Sequence, residues 1–531
     1  MRTPCHRRRE RRVAGVTRAT RLALAVASGL GYAAAFPPYD HGWLAFVALV
    51  PITWLVLEPS VRTGQLFLLG WLSGTVATSL LVSSSVTASA VRYFGLSAPA
   101  AWAAGLLTPQ LYGAPYFGRF AALARLATRG RRPLVAAPLI AAAWVTCDLL
   151  RSRVLDGCPW VLLAHSQHAH PLLLQVADLG GAAAVSFVVA LVDAAIAIAL
   201  RPMVVDRERR ALRDRRSTAA PLVLASLVLA ATILYGTVQR ERWSRAPAAD
   251  TLRVAVVQGN LPDAWRYSLR AQPEALQRLA ALTSRVLSPP PDLVVWPENA
   301  VSVSPDATAS DFAAAIRDLP PESRLLVGAP RAASVGPGRA ALFNSAFLIA
   351  PDGARRAVYD KLRLTPWAEG PPWPLGLLGL WPHAPGAYSP GDPQDLPVLH
   401  GQPFGVSICS EAIDARPIRE QVRSGARFLV NVANDGWFDG RPAVEQHAAA
   451  TALRAVENRR AMVRVTATGV SQVVDPDGTV RGEIGSGVAG AIAEVIAPQT
   501  ALALYTRIGD AFAWLCAAAV AAAALLRPRR A

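Results

Sequence analysis

The chain has 531 residues, of which 52% are hydrophobic and 17% charged, and its formal net charge is +17. That is too apolar for an ordinary soluble enzyme; it points to a membrane protein with room for more than one domain. A nucleic-acid surface is the weaker reading of the charge. Residues 1–21 hold eight Arg and one Glu, 119–132 hold five Arg and no acid, and 201–216 hold seven Arg and three acids, with Arg527, Arg529 and Arg530 near the end. Each cluster flanks a long apolar run, the pattern of cytoplasmic loops in a polytopic protein.

In chain order, apolar segments lie at about 21–36, 42–57, 64–88, 97–118, 134–150, 172–200 and 219–238, with a last one at 501–526. Several approach the ~20 residues that span a bilayer. The first two are shorter and separated by "PPYDHG", so they read as tilted spans or a re-entrant hairpin. The first is taken as a span and not a cleavable signal, because many more follow. With the basic tail 1–20 in the cytoplasm, loops 119–132 and 201–216 fall on the same side. Seven helices within 21–240 then place 250–497 outside, and an eighth at 501–526 returns the chain. The turn "GCPW", containing Gly157, Pro159 and Trp160, reads as a membrane-interface feature.

Residues 250–497 have a different texture. Short β-rich runs recur: "LRVAVVQ", "PDLVVWPE", "SRLLVGAP", "ALFNSAFLIAP", "PFGVSIC", "ARFLVNVAN" and "MVRVTATGVSQVVDP". Helical patterns at 273–287 and 444–460 lie between some of them. Continuous apolar strands alternating with helices predict a layered α/β domain with buried sheets. Of five cysteines, only Cys409 falls in this stretch, so it holds no internal disulfide, and the spacing of the five suggests no metal site.

Three stretches place a reactive side chain where a strand gives way to a loop: Glu298 in "VVWPENA", Lys361 in "YDKLRLTPWAEG" and Cys409 in "GVSICSEAI". A cysteine at a strand-to-helix turn is expected to have a lowered pKa, a carboxylate can take its proton, and an ammonium can stabilise an oxyanion. Taken singly, the cysteine could be a core residue, the glutamate a helix cap and the lysine a surface cation. Composition weighs against the last reading. Lys361 is the one lysine beside 53 arginines, and a compact ammonium does what a planar guanidinium cannot.

These three stretches resemble the Glu, Lys and Cys motifs of the nitrilase superfamily (carbon–nitrogen hydrolases). "VVQGNLP", "NVANDGWF", "EQH" and the apolar half, including "YAAAFPPYDHGWLAFVALVPITWLV" and "AAWVTCDLLRSRVLDGCPWVLLAHSQ", narrow the resemblance over about residues 20–500 to the apolipoprotein N-acyltransferase family. The resemblance implies an αββα sandwich and a catalytic triad of Glu298, Lys361 and Cys409. It implies Glu369 and Glu411 as supporting acids, with Ser410, Asn434 and Asp435 around the active site and Trp265 and Trp437 toward substrate. Ser410, Gly436 and Asp148 stand where other members carry an aromatic, Ala and Glu. His447 reads as structural, and Asn434 and Asp435 could equally form an Asx turn.

The expected activity is acyl transfer through a cysteine thioester, from a phospholipid donor to the α-amine of a diacylglyceryl-modified apolipoprotein, in a bacterial cytoplasmic membrane with the catalytic domain outside. No metal, cofactor or nucleic acid is expected, and a monomer embedded in membrane lipid is. Two rivals are a membrane-anchored amidase acting on a small amide, and a transporter with an inactive outer domain. The transporter would need intramembrane charges along a path, for which Asp148, Asp178 and Asp193 are the candidates.

Overall fold

The computed structural model describes residues 16–205, 213–244, 250–261, 270–302, 309–336, 339–372, 378, 388–440 and 442–526. Trp265, residues 1–15 of the basic tail and the arginines after 526 lie outside these residues. In the amino-terminal half, apolar runs with few charges form helices. α1 is Arg18–Ala34, started by Thr17, whose hydroxyl accepts from the Thr20 N–H. α2 is Val50–Leu57. α3 (Thr63–Thr78) passes through a π-helical turn, Ser79–Ser83, into α4 (Ser84–Arg92), making 30 residues of continuous helix. α5 (Ala98–Tyr112) and α6 (Ala114–Thr128) are separated by a break at Gly113. The chain packs α6 on α3 and α5 on α4. Close approach is possible because Gly70 and Gly74 face α6: a Cβ on Gly70 would lie 2.5 Å from the Phe117 carbonyl oxygen. α7 (Pro133–Arg151), α8 (Ala182–Val205) and α9 (Arg213–Ser244) complete the run before the second domain.

Among the described residues, four helices are long and apolar enough to cross a membrane: Thr63–Arg92, Pro133–Arg151, Ala182–Arg201 and Thr218–Trp243. Gly42–Leu57, Pro171–Gly180 and Ala511–Leu525 are apolar but shorter. The predicted eight spans are therefore not established by helix length. Three segments depart from expectation for local reasons. The Arg-rich stretch 119–132, expected to be a loop, is mostly helix. Phe117, Phe120, Ala121, Ala124 and Ala127 recur at three- and four-residue spacing and are buried, an apolar stripe that overrides the charges. Its Arg125 donates to the carbonyls of Leu55, Glu58 and Val61, satisfying the end of α2. The segment 172–200 is broken at Gly181, whose φ of +68° ends the turns before α8. The last segment is split: a short helix, Leu504–Ile508, ends at Gly509 with φ +62°, and a longer one starts at Ala511.

The aspartates that a transporter would need are held in place. Asp148 pairs with Arg151 at 3.1 Å and accepts from Ser186, Asp178 pairs with Arg459 at 2.6 Å, and Asp193 accepts the Leu49 N–H at 2.9 Å.

The second domain has two sheets. β1 (Leu252–Gln258), β2 (Leu293–Val295), β3 (Arg324–Gly336), β4 (Arg339–Ile349) and β5 (Arg355–Asp360) form one. β6 (Val398–Leu399) and β7 (Gln402–Pro403) are a small hairpin. β8 (Gly405–Ile408), β9 (Leu429–Ala433), β10 (Met462–Thr466), β11 (Ser471–Val474) and β12 (Val480–Ile484) form the other sheet, and β13 (Gly490–Ile496) closes the first. The orders are β13-β1-β2-β3-β4-β5 and β12-β11-β10-β9-β8.

Period-two alternation sorts the side chains into layers. Val254 and Val256 of β1 meet Val430, Val432, Val463 and Val465 between the sheets. Ala255 and Val257 face the other way, toward α10 (Gln272–Ser284) and α11 (Ala309–Ile316). Leu429 and Met462 face α12 (Ala415–Arg423) and α13 (Ala443–Asn458). The result is helix, sheet, sheet, helix, as the resemblance implies. After it, α14 (Ala511–Leu525) packs back on α7 and α6.

Arg460 lies at the foot of this sandwich, 1% exposed, and donates to the carbonyls of Ala426 (2.7 Å), Arg459 (2.9 Å) and Ala501 (2.8 Å). It thereby ties the segment entering α14 to the domain. Burial lowers its pKa to about 10. Lysine presents its donors from a single atom and cannot span these carbonyls, so Arg460→Lys is expected to destabilise the protein by about 1–3 kcal/mol. Thermal unfolding in detergent would show this as a lower midpoint, and an unchanged midpoint would refute it.

Candidate active site

Four pieces of chain converge at one edge of the sandwich. β2 ends at Val295 and delivers Glu298, which is 2% exposed. β4 carries Asn344, β5 leads into Lys361, and β8 ends at Ile408 just before Cys409. The Cys409 backbone is left-handed, at φ +53°, a costly conformation for a side chain with a Cβ that only the surrounding bonds can maintain. It opens a 3-10 turn, Cys409–Ile413.

The polar geometry is continuous. Lys361 Nζ lies 2.6 Å from Glu369 Oε2 and 3.4 Å from Thr365 Oγ1, and is 1% exposed. Asn344 Nδ2 donates both to Glu298 Oε1 at 2.7 Å and to Glu369 Oε1 at 2.8 Å, so one amide holds two carboxylates apart and in place. Glu298 Oε2 is buried with no nitrogen or oxygen donor on it, and the Cys409 thiol is the donor near this carboxyl, so a lone pair is available for the thiol proton. Thr365 Oγ1 and Ser410 Oγ are 2.8 Å apart, which links the lysine loop to the residue after the cysteine.

Glu411 does not face the reacting atoms. Its oxygens accept the N–H groups of Leu362 (2.8 Å), Arg363 (3.0 Å) and Ile408 (2.8 Å), with the Tyr359 hydroxyl 3.1 Å from Oε2. It thus clamps the lysine loop to the cysteine strand. Asn434 Oδ1 accepts the Gly436 N–H at 3.1 Å, the Asx turn. Asp435 is buried against Arg464 Nη2 (2.6 Å) and His447 Nδ1 (2.8 Å). Trp437 stacks on Tyr93 of the segment following α4, with ring centroids 3.7 Å apart. The Ser89 hydroxyl donates to its carbonyl at 2.6 Å, and Arg92 pairs with Asp439 at 2.6 Å. Across the mouth, Trp367 Nε1 donates to the Tyr112 hydroxyl at 3.0 Å. Membrane-domain helices therefore hold both the lysine loop and the Trp437 loop.

Electrostatics assign the protons. Burial, and then the negative charge of Glu298, push the Cys409 thiol well above its ordinary value, with Lys361 opposing. This reverses the expectation of a lowered thiol pKa: the turn after β8 is too buried, and an acid too near, for backbone dipoles to dominate. Burial also raises Glu298, while Lys361 lowers it. Burial disfavours the Lys361 ammonium, but Glu369, Cys409, Glu298 and Glu411 together outweigh that and hold it above its ordinary value. Burial would raise Glu369 as well; Lys361 overrides it and holds this carboxyl below the usual range. These directions favour a neutral thiol beside Glu298, whose ionised form can take its proton, with the Lys361–Glu369 ion pair next to both.

Asn344, Thr365 and Tyr359 were not identified from sequence. The signal for Asn344 is the polar pair in "LFNSAFLI", an amide inside an otherwise apolar central strand. Because its hydrogen bond favours ionised Glu298, Asn344→Ala is expected to raise the Glu298 pKa further. The base is active when deprotonated, so the low-pH limb of Cys409 acylation moves to higher pH, and the rate at neutral pH falls about 10–100-fold. A pH–rate profile with an unmoved limb would refute this role.

Comparison with known proteins follows the same division of the chain. A family model described as "Apolipoprotein N-acyltransferase N-terminal domain" matches residues 28–195, and one described as "Carbon-nitrogen hydrolase" matches residues 253–502. The apolipoprotein N-acyltransferase of Geobacter metallireducens is 30% identical over 518 residues, covering 96% of this chain and 95% of that one. That of Bordetella bronchiseptica is 28% identical over 550 residues, covering 96% and 97%. Among solved structures, Saccharomyces cerevisiae Nit3 of the nitrilase superfamily aligns with 49% of this chain and 96% of its own, at 21% identity and a TM-score of 0.36. Similarity that runs along nearly the whole of both chains, with both family models in order, shows that this protein belongs to the apolipoprotein N-acyltransferase family.

Proposed function

We propose that the protein N-acylates apolipoproteins, taking the acyl chain from a phospholipid at the outer face of a bacterial cytoplasmic membrane. In this reading residues 21–240 and 501–526 are the membrane part and 250–497 the catalytic domain. The observation that carries the reading is the junction between site and membrane helices. The loop that follows Lys361 and the loop around Trp437 are bonded to Tyr112 and to Tyr93, Arg92 and Ser89 of the apolar half. Apolar side chains of α5, which ends at Tyr112, remain exposed, including Trp102, Leu106, Leu107 and Leu111. A site so placed suits a substrate whose acyl chains would be costly to leave in water. A small soluble amide needs no such setting, which disfavours the amidase reading.

Glu298 takes the thiol proton as Cys409 sulfur attacks the ester carbonyl carbon. The oxyanion is held by the Lys361 ammonium and a backbone N–H near Ser410. The C–O bond breaks, the departing alkoxide regains the proton from Glu298, and a lysophospholipid leaves a thioester on Cys409. The α-amine of the diacylglyceryl cysteine then attacks the thioester carbon and gives its proton to Glu298. The C–S bond breaks, and the thiolate is reprotonated as the amide forms. Glu369 keeps Lys361 charged and fixed throughout, so the cation meets the developing oxyanion without reorganising.

Intact-mass measurement of the protein incubated with phospholipid is expected to show one added acyl chain on Cys409, absent in Cys409→Ala. Hydrolysis of a small amide with no adduct from lipid would overturn the reading. Lys361→Arg is expected to fold yet lose about 10²–10³-fold in acylation rate, because the guanidinium cannot occupy the ammonium's place between Glu369 and the oxyanion. Full activity of that variant would show that a compact cation is not required.

A further inference from the structure

Two adjacent residues at the start of α13 touch two different parts of the molecule. Gln446 is 3% exposed and reaches into the membrane domain. Its Nε2 donates to the carbonyls of Pro37 (3.0 Å) and Leu81 (3.2 Å), and its Oε1 accepts from Trp160 Nε1 at 2.7 Å. One amide thus gathers three elements distant in sequence: the loop after α1, the π-helical turn between α3 and α4, and the "GCPW" turn. A π-helical turn displaces backbone carbonyls from the α pattern, and such turns are enriched at functional sites; Leu81, within it, spends its carbonyl on Gln446.

His447 points the opposite way, into the catalytic domain, and is 1% exposed. Its Nε2 lies 3.2 Å from the carbonyl oxygen of Cys409, while Nδ1 lies 2.8 Å from Asp435, which is fixed by Arg464; both partners are acceptors, so the imidazolium donates to both and the neutral ring to the Cys409 carbonyl only as the Nε2–H tautomer. Asn431 Nδ2 also donates to that carbonyl, at 3.3 Å. The Trp160 ring, bonded to Gln446, also lies against the His447 ring, with centroids 5.6 Å apart. His447 therefore restrains the peptide unit that follows the strained φ of Cys409. That unit carries the Ser410 N–H assigned to the oxyanion.

We propose that Gln446 and His447 form a positioning unit that couples the seating of the catalytic domain on the membrane helices to the backbone orientation of the nucleophile. The unit rests on the reading of Cys409 as the acyl-accepting nucleophile. Neither residue touches the reacting atoms; each acts through the Cys409 peptide. With Gln446 seated, α13 is held in register, His447 reaches the Cys409 carbonyl, and the left-handed turn is kept. With Gln446 unseated, the nucleophile stays in the chain but its oxyanion donor turns away.

The test uses the full-length protein in phospholipid–detergent micelles and the variants Gln446→Leu, Trp160→Phe, His447→Gln and His447→Asn. A glutamine amide reaches about as far as imidazole Nε2 and can still donate to the Cys409 carbonyl, whereas asparagine reaches only about as far as Nδ1. Gln446→Leu and His447→Asn are expected to lower the maximal rate of Cys409 acylation by about tenfold to a hundredfold, with KM for phospholipid nearly unchanged. His447→Gln is expected to recover most of the loss. Trp160→Phe keeps the ring and removes one hydrogen bond; it gives a smaller loss in the same parameter and stands in if Gln446→Leu fails to fold. Alkylation of Cys409 by iodoacetamide, read by peptide mass, follows the same order and needs no lipid. Equal rates for His447→Gln and His447→Asn, or a wild-type rate in both Gln446→Leu and Trp160→Phe, would overturn the coupling. Absence of an acyl adduct on the wild-type protein, with the alkylation order intact, would instead overturn the lipid-donor reading and leave the coupling standing.

Discussion

A buried lysine–glutamate pair organises this site. Lys361 and Glu369 meet at 2.6 Å where almost no solvent reaches either. Removing a charge from water is expensive, and a buried pair is retained only if geometry and extra hydrogen bonds compensate. Here they do: Thr365 N–H and Asn344 Nδ2 donate to Glu369, and the Lys361 N–H donates to the Asn344 carbonyl. Once that pair is fixed, Asn344 is fixed, and with it Glu298. The lysine loop is then bolted to the cysteine strand by Glu411, which gathers N–H groups from both. The catalytic groups are rigid because they are each other's partners.

This arrangement explains why a raised thiol pKa is compatible with nucleophilic chemistry. A permanent thiolate beside Glu298 would place two anions together in a dry site. A neutral thiol next to a carboxylate avoids that repulsion and ionises only as the carbonyl arrives. In the proposed reaction Lys361 remains charged, so the field at the oxyanion position is built before any substrate enters.

Much of this was legible in the sequence, for identifiable reasons. The strands were readable because their continuous apolar runs are buried on both faces, and the chemistry because Glu298, Lys361 and Cys409 each follow such a run. The lone lysine was informative because arginine serves almost every other basic position. What could not be read depends on tertiary partners. The part of α6 after residue 118 was hidden by its arginines, which read as a loop until Phe120 and Ala124 are buried in the helical core. Asn344 looked like one polar residue in a strand; its importance lies in two carboxylates from elsewhere. The direction of the Cys409 shift depends on burial, which local sequence does not report. The arginines also have structural uses: Arg125, Arg460 and Arg464 are internal donors to carbonyls and carboxylates, a use for which a forked guanidinium is suited.

The uninterrupted helix from Thr63 to Arg92 has a dimensional consequence. Thirty residues at ~1.5 Å each make a rod of about 45 Å, while the hydrocarbon layer is only ~30 Å thick. Set along the normal of such a layer, the rod would extend about a third of its length beyond it. Its far end is where Ser89, Arg92 and Tyr93 grip the Trp437 loop. In the proposed arrangement, the height of the site above the lipid is measured out by a helix and not by a linker. The helix then serves as a ruler, and under that proposal its length sets how far an acyl ester must rise from the bilayer to meet Cys409.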